Sequence, residues 1–150
     1  MKEIKLHTPI IDTVIFCLKA IFEEQKVADK EVATILKQNK NFGSRDRSLI
    51  AETVYDIVRW KLKYEYFADQ LQLTSYKSLI LISFLNRNYT IKNIEILGVE
   101  NESILKLKEI VHQQIKEPNI EQSFPKEFYD FCLENIGEKW HSLAIALNKK

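Results

Sequence analysis

The chain has 150 residues, 45% of them apolar and 29% charged, with 22 Lys and Arg against 21 Asp and Glu and only three Gly and three Pro. That balance excludes a disordered, collagenous or low-complexity chain. At this length a single domain over residues 1–150 is expected, with enough core to fold without a metal or disulfide staple.

The chain opens Met1-Lys2-Glu3-Ile4-Lys5 with no signal-peptide pattern. A helix then follows: Ile10, Ile11, Val14, Ile15, Leu18, Ile21 and Phe22 recur at three-and-four spacing. Thr8 is expected to cap it, with Pro9 in the first helical position. Ala28 to Gln38 reads as a shorter helix, with Val32, Ile35 and Leu36 inside and Asp29 and Glu31 at its positive end. Asn39-Lys40-Asn41-Phe42-Gly43 is a turn, and Gly43 is expected to close it with a positive φ. Ser44 should cap the next helix, with Asp46 in its first turn. Apolar periodicity then runs from Leu49 through Ile57 and Leu62 to Tyr66, Phe67 and Leu71. One rod of roughly 28 residues would be about 42 Å long, too long for such a domain, so a break is expected near Trp60-Lys61.

Tyr76 to about Asn88 is apolar nearly all round, the mark of a helix in the middle of a bundle, with Asn86-Arg87-Asn88 as its frayed end. Thr90 to Leu97 is ambiguous and fits helix better than strand, with Gly98 as the stop. Asn101 is expected to cap a helix from Glu102 to Lys116 that Pro118 ends. Ser123-Phe124-Pro125 opens a final pair of helices divided at Gly137. No segment alternates for long with period two, and the longest apolar run, Leu79 to Ile82, is far short of the roughly 20 residues of a membrane span. The expected fold class is all-α, a bundle of roughly seven or eight helices. The expected location is the cytoplasm, with no membrane partner.

Cys17 and Cys132 each follow a Phe in an apolar run and read as buried free thiols, and His7, His112 and His141 are too scattered for a metal site. Charge is segregated. Lys37 to Lys63 holds seven basic residues (Lys37, Lys40, Arg45, Arg47, Arg59, Lys61 and Lys63) against three acidic ones, and Glu109 to Glu138 holds seven acidic against two basic. The basic stretch reads either as a phosphate-binding surface or as a solvated helix face with internal ion pairs. Tyr55, Trp60, Tyr64 and Tyr66 interleave with it, able to stack on bases or to pack in the core.

The run Gly43-Ser44-Arg45-Asp46-Arg47 through Tyr55-Asp56-Ile57-Val58-Arg59-Trp60 resembles the amino-terminal, NusB-like domain of Sun/RsmB-type ribosomal RNA cytosine-5 methyltransferases. Ser123-Phe124-Pro125-Lys126-Glu127-Phe128 and the segment from Gly137 to Asn148 are similar to that domain's carboxyl-terminal helices. The resemblance implies a NusB-like bundle that binds ribosomal RNA and positions it for a catalytic domain. RNA contact falls to Lys40, Arg45, Arg47, Arg59, Lys61 and Lys63, and Gly43, Ser44 and Asp46 form the structural motif at the helix start. For Arg59 and Asp46 a structural role, as helix-end partners, competes with contact.

The family's S-adenosylmethionine loop and catalytic cysteines lie in a later Rossmann-like domain. Here Gly43, Gly98 and Gly137 are isolated, so no cofactor and no catalytic residue is expected in this chain, which reads as a fragment inactive by itself. Its partners would be ribosomal RNA and the methyltransferase domain of the same protein. Two alternatives stand beside this. One is a stand-alone NusB-like transcription antitermination factor, although residues 1–36 lack the arginines such proteins begin with. The other is a helical protein-interaction module.

Overall fold

The three-and-four apolar spacing near the start of the chain becomes α1 (Thr8–Glu23) in the computed structural model, which describes residues 2–149. It is followed by α2 (Ala28–Gln38), α3 (Ser44–Arg59), α4 (Lys61–Gln70) and α5 (Tyr76–Asn86). After a 3-10 turn at Ile94–Leu97 come α6 (Asn101–Ile110), the single turn α7 (Pro118–Glu121), α8 (Lys126–Ile136) and α9 (Lys139–Leu147). The protein is an all-α bundle, and among the described residues no helix is long and apolar enough to cross a membrane.

The break at Trp60 is present: its backbone leaves the helix (φ −105°, ψ 22°), and α3 and α4 meet there at a corner. α5 is the central rod, buried from Ser78 through Leu85, with α1, α3 and α4 packed against it. Its all-round apolarity leaves no solvent face, which is why it takes the middle of the bundle.

Several local expectations are corrected. Gly43 is the residue before α3, extended at φ −71° and ψ 173°, and among the glycines positive φ falls on Gly98 (65°) and Gly137 (88°). Gly43 starts a helix and does not end one, and an N-cap position takes extended backbone. Ser44 and Thr8 are accordingly the first residues inside their helices, and neither α1 nor α3 has a side-chain cap bond. α6 ends at Ile110, well before Lys116, and Pro118 begins α7. A proline lacks the N–H that a first turn does not use.

The ambiguous segment Thr90 to Leu97, which fits helix better than strand by its spacing, divides: its start is a strand and Ile94–Leu97 is the 3-10 turn. β2 (Tyr89–Ile91) pairs in parallel with β1 (Lys2–Ile4), Lys2 opposite Tyr89 and Ile4 opposite Ile91. Asn93 then continues the pairing with its side chain: its Oδ1 accepts from the Leu6 N–H at 2.8 Å and its Nδ2 donates to the Leu6 carbonyl at 2.6 Å. This amide clasp fixes the amino-terminal segment beside the start of α1.

Two cores result. The larger runs from Leu6 to Ile115 and draws on all of α1 to α6. The smaller is Tyr129, Cys132, Trp140 and Ala144, with Phe124 and Leu133 against it, and belongs to the α8–α9 hairpin alone. Cys17 lies in the larger core, where burial, and secondarily Glu31, pushes its thiol up to about 11. Thiolate is the reactive form. Cys17 is therefore expected to resist alkylation by iodoacetamide at pH 8 in the native protein and to react promptly in urea, read by mass spectrometry. Equal rates in the two conditions would place it at the surface.

Candidate functional site

The basic stretch does not form one free surface. Arg47 turns back from the first turn of α3 onto α2, and its guanidinium donates to the Leu36 carbonyl at 2.9 Å. It thereby satisfies a helix-end carbonyl that has no partner within α2. Arg59 lies between aromatic rings, its guanidinium carbon 4.8 Å from the Phe124 centroid and 5.3 Å from that of Trp60. It also donates to the carbonyls of Gln122 (3.4 Å) and Ser123 (3.5 Å), and burial draws its pKa downward. Lys63 pairs with Glu121 at 2.9 Å, both side chains less than a fifth exposed. Glu121 accepts in addition from the Ile115 N–H at 2.8 Å. These three cations fasten the α2–α3 turn and the α7 segment to the bundle.

Lys61 leaves the corner in another direction, over the ring of Phe22 and 3.2 Å from Glu65, its i,i+4 neighbour. Lys40 on the turn and Arg45 at the start of α3 are exposed and make no hydrogen bond or ion pair among the described residues. Asp46 sits in the first turn of α3, where a carboxylate opposes the exposed N–H groups favourably. Of the six expected contacts, then, Arg45 and Lys40 are unengaged, Lys61 is half engaged, and Arg47, Arg59 and Lys63 hold the structure.

The fold assembles a different basic surface. A cavity of about 810 Å³ opens between the amino-terminal segment and α3, lined among others by Lys2, Lys5, His7, Arg45, Asp46 and Glu52. A second, of about 720 Å³, shares Lys2, Glu52 and Tyr89 with it and continues past Arg59, Trp60 and Arg87 to Lys149. Together they make one open groove along α3. Glu3 on its wall is paired with Lys92 at 3.6 Å, and Asp56 with Arg87 at 3.8 Å. That leaves Asp46 and Glu52 facing Lys2, Lys5, Arg45, Arg59 and Lys149, a cationic surplus. No protein-family model, curated protein or solved structure matches this chain. What the groove can bind follows from its side chains. Cations on an open floor, with Tyr55 and Tyr89 on the walls, suit a flexible polyanion more than a small enclosed ligand.

Behind the groove wall lies a polar network that the sequence did not announce. Asp56 Oδ2 accepts from Tyr64 Oη at 2.6 Å and from Ser83 Oγ at 2.7 Å. Arg87 donates to Thr53 Oγ1 at 2.9 Å and lies over the rings of Phe84 and Tyr89. Asn86 donates to Tyr64 Oη at 3.0 Å. Burial, and then the Asp56 charge, holds the Tyr64 phenol well above its ordinary pKa, so it stays a donor. Arg87, expected in a frayed end, is in fact a tie between α5 and α3. The available signal was Ser83, the one hydroxyl within the apolar run 79–85.

Proposed function

We propose that this chain is an RNA-binding unit that positions ribosomal RNA for an S-adenosylmethionine-dependent cytosine-5 methyltransferase and is non-catalytic alone. The observation that supports RNA contact most directly is the groove along α3, where Lys2, Lys5, Arg45 and Lys149 line a continuous open surface without a carboxylate pairing each of them. The likeness of residues 43–60 to the amino-terminal domain of such enzymes supports the ribosomal substrate. Gly43, Gly98 and Gly137 stand on three separate loops, which supports a reading in which the cofactor has no glycine-rich cradle here. It would bind in a catalytic domain. Phosphate attraction from the groove would set register and orientation and would carry little base readout.

Titration of a labelled single-stranded RNA from the small ribosomal subunit tests this. Affinity is expected to fall with salt, by a log–log slope of about −0.7 for each phosphate neutralised. Replacing both Lys5 and Arg45 by Glu should weaken binding by about tenfold or more and flatten the slope, because a charge reversal repels as well as removes. Lys61→Ala should change affinity by less than about twofold, since Lys61 already serves Glu65 and Phe22. Binding that is absent at low salt, or insensitive to the groove variant, overturns the reading.

A further inference from the structure

Among the described residues ten large apolar side chains are exposed, and six of them lie in α8 and α9: Phe128, Phe131, Ile136, Leu143, Ile145 and Leu147. The spacing gathers most of these on one side. Phe128 and Phe131 are three apart on α8, and Leu143 and Leu147 four apart on α9, so each pair shares a stripe. Trp140, one turn before Leu143, packs edge-on against Phe128 at 5.9 Å between centroids and joins the two stripes. Phe131 is 63% exposed and Leu147 59%, values for side chains that have found no partner within the fold. Patches of this kind on a folded protein mark interaction sites.

The rim is mainly acidic, with Lys139 at the start of α9 as an exposed cation. Glu127 and Glu134 flank Phe131, four residues before it and three after, and both are exposed. Neither makes an ion pair among the described residues, whereas Asp130 is paired with Lys126 at 3.0 Å. Glu138 is exposed at the turn into α9. An RNA or an anionic membrane would meet these carboxylates with repulsion. A second copy docking face to face would bring two mainly acidic rims together, because a two-fold interface uses the same patch on both sides.

We propose that the α8–α9 face docks an amphipathic helix whose apolar stripe covers Phe131 and Leu143 and whose Lys or Arg residues meet Glu127 and Glu134. Such docking follows the helix-in-groove mode, in which apolar anchors supply affinity and rim charges select the partner. Phe131, Leu143 and the three glutamates all lie outside the RNA groove, and Leu147 alone of the face's residues borders it.

The test uses the full chain and two labelled 18-residue helical peptides with the same leucine spacing, one with Lys and one with Glu at the polar positions, followed by fluorescence anisotropy. The Lys peptide is expected to bind at least about tenfold more tightly than the Glu peptide. Phe131→Glu with Leu143→Glu should abolish binding, and Glu127→Lys with Glu134→Lys should reverse the preference. Both variants change exposed positions, and an unchanged circular dichroism melt establishes that they fold. Reversal of Glu102 and Glu109, exposed on α6 and outside this face, should leave binding within about twofold. Equal binding of the two peptides, indifference to the Phe131 and Leu143 changes, or equal loss from the α6 control overturns the proposal. So does self-association of the unliganded chain that Phe131→Glu removes, which would assign the face to a second copy.

Discussion

Replacing Asp56 with Ala is expected to destabilise the protein by about 3 kcal/mol, the largest effect of any single polar change in the bundle. Its Oδ2 is the shared acceptor for Tyr64 on α4 and Ser83 on α5, and the counterion of Arg87 at 3.8 Å. Alanine leaves two buried hydroxyls without an acceptor and a guanidinium, 15% exposed, without its carboxylate. Breaking a buried pair by removing one partner costs about 3–5 kcal/mol. The lower end applies because Asp56 also lines the groove, so water can reach the vacated space. Tyr64→Phe should cost only about 1 kcal/mol, since it orphans a single Asn86 donor and leaves Asp56 with Ser83 and Arg87. Urea denaturation with an unchanged m value reads both differences. An Asp56→Ala loss no greater than that of Tyr64→Phe would show that the carboxylate is dispensable and that Thr53 and the aromatic neighbours suffice to hold Arg87.

The same contrast explains how much of the molecule was legible in the sequence. Long periodic helices were, because burial enforces the three-and-four repeat over many residues. α1, α2, α5 and the α8–α9 pair appear where the apolar spacing put them, and the length argument alone located the corner at Trp60. The parallel pair β1 and β2 was not legible, since three residues are too few to alternate and its partner lies 87 positions away. The clasp of Asn93 on Leu6 is a tertiary fact that no local pattern encodes.

The site suffered from the same limit. A run of Lys and Arg on a helix shows where charge enters the chain, but not whether a carbonyl or carboxylate awaits it. Gln122, Ser123 and Glu121, which engage Arg59 and Lys63, lie about 60 residues downstream. Of the groove's cations, Arg45 and Arg59 were singled out from sequence. Lys2, Lys5 and Lys149 come from the chain's two ends, where a single charged residue carries no signal until the fold brings it beside α3.

The second large effect concerns Trp140, and it should be local. Trp140 is 2% exposed and packs within 6 Å of Phe124, Phe128 and Tyr129. Truncating a buried Trp to Ala costs about 3–5 kcal/mol. In the larger core that loss would be shared over the whole cooperative unit. The hairpin has only Tyr129, Cys132 and Ala144 as its other buried residues. It joins the bundle through α7, the Arg59–Phe124 stack and the Asn148 amide, which donates to Gln122 at 2.9 Å. A unit this small cannot absorb several kcal/mol, and regions with few buried contacts open independently of the rest. Hydrogen exchange on Trp140→Ala is therefore expected to show residues 126–147 losing protection while α5 keeps its own, with little change in the main thermal transition. RNA affinity should persist where it depends on Lys5 and Arg45, and capture of the basic helical peptide should vanish. A single cooperative collapse of the whole chain would instead mean that the contacts around Arg59 weld the two cores into one. The α8–α9 face would then be a fixed extension of the bundle, and not a separately stabilised docking element.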